Sequence, residues 1–204
     1  MTGSPLPMVH VVDDDDSLRE ALERRLRVQG YAVRSYASAD RFLADYEPGG
    51  EIACILLDVQ MPGMGGLDLQ GALADRGIGL PIVFLTSHGD VPMSVKALKA
   101  GAENFLMKPA RDEALMAAVE AALARARERH AGEAKLAQAR QRFSLLSARE
   151  REILALVASG LPNKLVADRT GLALVTVKVH RANVMRKMGA DSLADLVRLA
   201  TLLE

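Results

Sequence analysis

Four short apolar runs in the first half of the chain each end at a polar residue that could do chemistry. MVHVV is followed by Asp13 and Asp14, CILL by Asp58, IVFL by Thr86, and NFLM by Lys108. If these runs are neighbouring parallel strands, their carboxyl ends share one edge, and side chains spread over about a hundred residues converge there. Carboxylates crowded together repel one another, so the set predicts a divalent cation and an Asp that can accept a phosphoryl group.

The elements between these residues alternate in type. Strand patterns fall at about 8–12, 32–36, 53–57, 82–86 and 104–107, and helical patterns at about 18–29, 38–46, 66–76, 91–100 and from 112 onward. Ser17 and Glu20 have the spacing of a capping box at the start of the first helix. Five strands alternating with five helices predict an α/β fold, a doubly wound five-stranded parallel sheet with helices on both faces.

The segments VVDDDD, LLDVQMPGMGGLDL and FLTSHGDVPMSVKALKAGAENFLMKP carry a resemblance that covers residues 6–124. This part of the chain resembles the receiver domain of two-component response regulators, which implies a flavodoxin-like fold. The resemblance implies that Asp58 accepts a phosphoryl group from a sensor histidine kinase.

The same resemblance implies roles for the other residues. Asp14 would bind Mg²⁺ together with Asp58 and the backbone carbonyl of Gln60, and Asp13 would hold the ion through water. Lys108 and Thr86 would bind phosphoryl oxygens. Phe105 would be the aromatic switch. Taken singly, each has a plainer interpretation, such as a helix-start acid, a strand-end hydroxyl or a surface charge. Their occurrence at successive strand ends favours the joint site.

Composition limits the class of protein. The 204 residues include one cysteine, which excludes an internal disulfide, and no charge-free apolar stretch approaches the 18 or so residues of a membrane helix. The start of the chain has no basic segment followed by an apolar core, so we expect no secretory signal and a cytoplasmic protein without a membrane partner.

Charge divides the chain although its net charge is zero. Residues 1–124 carry −7, residues 125–139 carry +2 and residues 140–204 carry +5. An acidic front and a basic back favour two domains, the second a candidate for binding a polyanion. We predict a receiver domain at 1–124, a helical linker at 125–142 and a second domain at 143–204.

The linker region is rich in Ala, Leu, Glu and Arg, which are strong helix formers. Leu115, Val119 and Leu123 recur at helical spacing and should pack on the sheet. Beyond residue 124 the apolar stripe thins, so we expect a helical rod that leaves the domain and has a hinge at Gly132.

The last third predicts a small all-α domain of four helices. Ser147 and Glu150 form a capping box for a helix over about 148–159, Asn163 should cap a short helix through 169, a third helix should span 175–188, and Ser192 should cap a fourth through 203. The string LSAREREILALVASGLPNKLVADRTGLALVTVKVHRANVMRKMGADSLADLVRLA resembles the LuxR-type helix-turn-helix domain. With the front half, the chain resembles FixJ-type response regulators, close to the FixJ and StyR group.

The third of these helices is the candidate DNA-reading helix. Val177, Val184 and Met188 can face the core. We predict base-edge contacts from Thr176, Lys178, Val179 and Arg181, and phosphate contacts from Lys164, Arg186 and Lys187. The apolar stripe of the fourth helix is a candidate dimer contact.

The sequence thus predicts a transcription factor that is a switch and not an enzyme. A sensor histidine kinase would phosphorylate it with the help of Mg²⁺. The phosphorylated protein would form a homodimer on promoter double-stranded DNA and act on RNA polymerase, in most cases as an activator. One alternative is an Mg²⁺-dependent aspartyl-phosphate phosphatase. Those enzymes have a second Asp two residues after the nucleophile, where this chain has Gln60. Another is a regulator triggered by a ligand and independent of phosphate.

Overall fold

The structure is a computed structural model that describes residues 6–87 and 101–203. The strands are β1 Met8–Val12, β2 Ala32–Tyr36, β3 Ala53–Asp58, β4 Ile82–Thr86 and β5 Asn104–Met107. The helices are α1 Asp16–Val28, α2 Ala39–Asp45, α3 Gly66–Asp75, α4 Asp112–Ser144, α5 Ala148–Ala158, α6 Asn163–Thr170, α7 Leu174–Met188 and α8 Leu193–Thr201. The helix predicted at 91–100 lies outside the described residues. The chain divides into two compact units, Met1–His130 and Ala131–Glu204.

The five strands form one parallel sheet in the order β2-β1-β3-β4-β5, so the predicted α/β fold is confirmed. β1 and β3 are neighbours, and the register pairs Asp58 with Leu85 and Thr86 with Met107. The polar residues at the strand ends therefore meet at one edge of the sheet, as the sequence predicts.

Both faces of this sheet are buried, because successive strand residues point to opposite sides. Leu56 packs in one cluster with apolar residues of α1 and α4, whereas Leu57 packs in the other with residues of α2 and α3. The predicted packing of Leu115, Val119 and Leu123 on the sheet is confirmed, since all three are buried in the first of these clusters.

The start of α1 differs from the prediction. Asp15, and not Ser17, is the N-cap, and its carboxylate accepts a hydrogen bond from the Leu18 backbone N–H. Ser17 lies within the helix, so the predicted capping box with Glu20 is wrong. The Asp15 carboxylate, two residues before Ser17, satisfies one of the first free N–H groups, and the helix therefore starts at Asp16.

The predicted hinge is also not seen in the backbone. α4 runs unbroken from Asp112 to Ser144 and passes through Gly132. One glycine costs a helix only about 1 kcal/mol relative to alanine, and the strong helix formers on both sides outweigh it. Within the described residues, no helix is both long and apolar enough to cross a membrane.

The helices from α5 onward bury a core of their own. Val177, Val184 and Met188 of α7 are buried in it, as predicted, together with Leu196 of α8. The capping box of Ser147 and Glu150 at the start of α5 and the Ser192 cap of α8 are both confirmed. The predicted Asn163 cap is wrong: Pro162 is the N-cap of α6, and Asn163 is the first helical residue.

Candidate functional site

At the carboxyl edge of the sheet, one ammonium group lies between two carboxylates. Lys108 Nζ is 2.6 Å from Asp13 Oδ2 and 2.7 Å from Asp58 Oδ2. Asp13 follows β1, Asp58 ends β3 and Lys108 follows β5, so three strands supply the three groups. The Lys108–Pro109 bond is cis. Both carboxylates are buried, and the lysine side chain is 12% exposed.

A third carboxylate completes the acidic cluster. Oxygen atoms of Asp13, Asp14 and Asp58 all lie within 4.8 Å of one another, and Asp14 is exposed to solvent. Hard carboxylate oxygens beside an open, solvated side are the donor set that Mg²⁺ uses in proteins, since this ion keeps several waters. These residues therefore fit the predicted ion. Gln60 lies next to them, and its backbone N–H donates to Asp58 Oδ1 at 3.1 Å.

Burial and ion pairing shift the pKa values of Asp13 and Lys108 in opposite directions. Burial raises the pKa of Asp13, although hydrogen bonds from Lys108 and from the Asp15 backbone N–H partly offset it. For Lys108, burial alone would lower the pKa, but its bonds to Asp13 and Asp58 outweigh that and hold the pKa above its usual value. The ammonium therefore stays charged at neutral pH and acts as a fixed counterion.

The two remaining predicted residues lie on the neighbouring strands. Thr86 is buried at the end of β4, and its backbone carbonyl accepts from the Lys108 backbone N–H at 2.7 Å. Phe105 is half-buried on β5, paired with Phe84, and the two ring centroids are 6.2 Å apart. The hydroxyl thus belongs to the same sheet edge as the acids, and the aromatic ring lies on the adjacent strand.

Two residues that support this edge were missed in the sequence. The guanidinium of Arg19 donates to the Asp13 backbone carbonyl at 2.7 Å, which fixes the loop that carries the acids. Gly66 begins α3 so close to β3 that a Cβ there would lie 2.2 Å from the Asp58 carbonyl oxygen. The glycine pair in GMGGLD was a usable signal for such a close approach, whereas nothing in the sequence distinguishes Arg19 from other arginines of α1.

A second candidate site lies on α6 and α7. Lys164 on α6 is exposed, and Lys178, Val179 and Arg186 are exposed on α7, while Thr176 is partly buried. α6 and α7 pack against each other, and the buried side of α7 lies in the core of this unit. A cationic, solvent-facing helix of this kind is the form in which helix-turn-helix proteins enter the major groove.

Two other predicted contacts are engaged inside this unit. Arg181 Nη1 donates to Asn163 Oδ1 at 2.7 Å, which joins α7 to the start of α6. Lys187 Nζ lies 2.6 Å from Glu150 Oε2, whose side chain is 5% exposed. The hydrogen bond from Lys187, followed by the Ser147 backbone N–H, lowers the pKa of Glu150 to about 2. Both cations therefore help to position α7.

Comparison with known families agrees with both sites. Residues 9–120 match the family described as "Response regulator receiver domain", and residues 144–200 match "Bacterial regulatory proteins, luxR family". The chain belongs to the response regulators. The resemblance predicted from the sequence is confirmed, and the acidic edge and the exposed helix each lie in one of the matched regions.

Relatives of this response regulator match it over nearly its full length. Nodulation protein W of Bradyrhizobium diazoefficiens is 46% identical over 198 residues, which cover 97% of this chain and 87% of that protein. Transcriptional regulatory protein FixJ of Azorhizobium caulinodans is 45% identical over 194 residues, covering 95% and 92%. The solved structure of the response regulator StyR has a TM-score of 0.83 and 46% identity, and covers 97% of this chain and 99% of that one.

These matches establish the class of function. A receiver domain implies a histidine kinase as partner, and a LuxR-family helix-turn-helix implies binding to DNA. The protein is a transcriptional response regulator of a two-component system.

Proposed function

We propose that Asp58 is the phosphoacceptor and that its phosphorylation turns on DNA binding. The observation that carries the proposal is the position of Lys108 Nζ between Asp13 and Asp58. An ammonium beside the acceptor carboxylate offsets the repulsion between that carboxylate and an incoming phosphoryl group, so that catalysis is mainly positioning and electrostatics. Asp58 Oδ attacks the phosphorus of a phosphohistidine, a P–O bond forms, the P–N bond breaks, and the freed imidazole is protonated.

We propose Mg²⁺ as the cofactor. Asp13, Asp14 and Asp58 would hold it, with the backbone carbonyl of Gln60 as the further ligand. Bound there, the ion supplies positive charge that neutralises phosphoryl oxygens. Two side chains of the protein would bind the phosphoryl group directly. Lys108 would hold one phosphoryl oxygen, and the Thr86 hydroxyl would donate a hydrogen bond to another.

The response to phosphorylation is proposed to pass through Thr86 and Phe105. A hydroxyl that moves toward the new phosphoryl group leaves room for the neighbouring aromatic ring to turn, which changes the surface near β5. That surface is the proposed dimer face of the receiver; its other part, at 91–100, lies outside the described residues. The half-buried Val197 and the exposed Leu193 of α8 are the proposed dimer contact of the DNA-binding domain.

On DNA, we propose that Thr176, Lys178 and Val179 contact base edges and that Lys164 and Arg186 contact phosphates. Arg181 and Lys187 would contact DNA only with the donor hydrogens that Asn163 and Glu150 leave free; their larger contribution is to hold α7 in place. The dimer would bind a two-fold symmetric promoter site in the cytoplasm and act on RNA polymerase, most simply as an activator.

The test measures DNA affinity of the full chain at fixed salt. A duplex enriched from a random pool is titrated with and without a small phosphodonor and Mg²⁺, by electrophoretic mobility. We expect tighter binding only after phosphorylation, no gain for Asp58→Asn, and a normal gain for Asp75→Asn, a matched exposed control on α3. Equal binding in both states, or full binding by Asp58→Asn, contradicts the switch.

A further inference from the structure

The outward face of α7 is apolar at its centre. Val175 is 67% exposed and Val179 is 56% exposed, whereas Val177, between them, is fully buried. Residues four apart lie on the same side of a helix. Ala182, also exposed, continues the same row at a spacing of three. We call this row, Val175, Val179 and Ala182, the valine stripe.

The exposed cations of α6 and α7 lie outside the valine stripe. Lys178 is exposed beside it, Arg186 follows it by one helical turn, and Lys164 is exposed on α6. A helix that bound only phosphates would gain from charge along its whole outward face. Here Lys178 and Arg186 lie on the same helix as an exposed row of methyl groups, within the region that matches the LuxR family.

We infer that the valine stripe reads the methyl groups of thymine in the major groove. The inference rests on the proposed DNA-binding function and specifies what α7 recognises. Thymine alone among the four bases presents a methyl group there, and small apolar side chains are its matching contacts. The first turns of a recognition helix are those that reach base edges, which is where Val175 and Val179 stand. The exposed cations Lys178 and Arg186 on the same helix complement phosphates and favour DNA over an apolar protein as the occupant.

Deoxyuridine provides the test, because it has the hydrogen-bonding groups of thymine without the methyl group. Duplexes enriched by the phosphodonor-treated full chain should contain thymine at one or two fixed positions in each half-site. Replacing such a thymine by deoxyuridine should weaken binding by about threefold to fivefold, the effect of losing one buried methyl contact. In Val175→Ala or Val179→Ala this penalty should disappear at one position.

Val28→Ala is the matched control, since Val28 is 80% exposed on α1 and the variant should keep the full deoxyuridine penalty. The inference is overturned if an enriched site binds deoxyuridine duplexes as tightly as thymine duplexes, or if the penalty is the same in both valine variants as in the parent. It is also overturned if those variants bind DNA normally but lose self-association. A chain that enriches no site at all contradicts the proposed function itself, so the two failures are distinguishable.

Discussion

Replacing Lys108 by methionine removes the positive charge that joins Asp13 to Asp58, and stability should fall. At N–O distances of 2.6 and 2.7 Å, each pair has a gross attraction of about 6 kcal/mol at an effective dielectric constant near 20. Desolvation of the ammonium cancels part of this. Removing one partner of a buried pair costs about 3–5 kcal/mol in measured cases, because the other charge is left buried.

We expect the lower end of that range, about 3 kcal/mol, for Lys108→Met without metal. The pKa of Asp13 is already raised, so this carboxyl can take up a proton and limit the penalty. Mg²⁺ should reverse much of the loss, since a ligand at 100 times its dissociation constant adds about 2.7 kcal/mol. Because the lysine no longer competes for the same oxygens, the gain from Mg²⁺ should be larger in the variant than in the parent.

The three tyrosines of the chain give a selective assay. Tyr31, Tyr36 and Tyr46 all lie in the first unit, and the chain has no tryptophan, so tyrosine fluorescence reports the unfolding of that unit alone. Urea titrations at pH 8, with a chelator or with Mg²⁺, give the free energy of unfolding. A loss of 3 kcal/mol should lower the midpoint by about 1–2 M.

Arg41→Met is the matched control. Arg41 pairs with Asp45 at 2.7 Å, but its side chain is 69% exposed, and such surface pairs contribute less than about 1 kcal/mol. If Lys108→Met changes stability no more than this control, or if Mg²⁺ stabilises parent and variant equally, the assignment of Lys108 as the counterion of the acidic cluster is wrong.

Three further predictions concern single residues. Asp58→Asn should abolish the phosphoryl adduct seen by intact-mass spectrometry after treatment with a phosphodonor, while Asp75→Asn should keep it. Burial, with the charge of Arg34, lowers the pKa of His10 to about 4, so the folded state resists protonation of this ring. The free energy of unfolding should therefore be highest above the unfolded pKa of about 6.5 and fall as the pH drops toward 4. At pH 5 the loss should be about 2 kcal/mol. His10→Leu should remove that pH dependence from the tyrosine signal. Glu150→Gln should destabilise the second unit by about 1–3 kcal/mol at pH 7, seen as an earlier far-ultraviolet circular dichroism transition, and the difference should shrink as the pH falls from 4.5 toward 2, where Glu150 itself becomes protonated.

The strands could be predicted from sequence almost residue by residue. The inner strands β1, β3 and β4 are mostly apolar runs buried on both faces, so the pattern itself sets their limits. The edge strands β2 and β5 are only partly buried, and their limits follow from the turns and polar residues around them. The residues at their ends follow from topology, because a parallel sheet puts all carboxyl ends at one edge. The cluster of Asp13, Asp58 and Lys108 is therefore predictable from the order of strands and polar residues along the chain.

Helix starts and long side chains were less predictable. In the run from Asp13 to Ser17, several residues are good N-caps, and only the path of the chain selects Asp15. On α7, cations of the same type look equivalent in sequence. A flexible side chain can reach a partner far along the chain, as Lys187 reaches Glu150, and sequence spacing does not show such partners.

Among the described residues, two ion-pair groups with buried carboxylates differ in charge balance, and the difference matches their different roles. Glu150 and Lys187 form a one-to-one pair with a hydrogen-bonded carboxylate, so nothing further is needed to neutralise it. At the sheet edge, three carboxylates lie together and one ammonium contacts two of them, which leaves two negative charges when all are ionised. Such an excess costs stability, and under the proposed function it would attract Mg²⁺ and would make a phosphoryl group on Asp58 a large perturbation. A site that switches on phosphorylation needs such an excess of negative charge, whereas an ion pair that only holds the DNA-binding helix in place needs equal positive and negative charge.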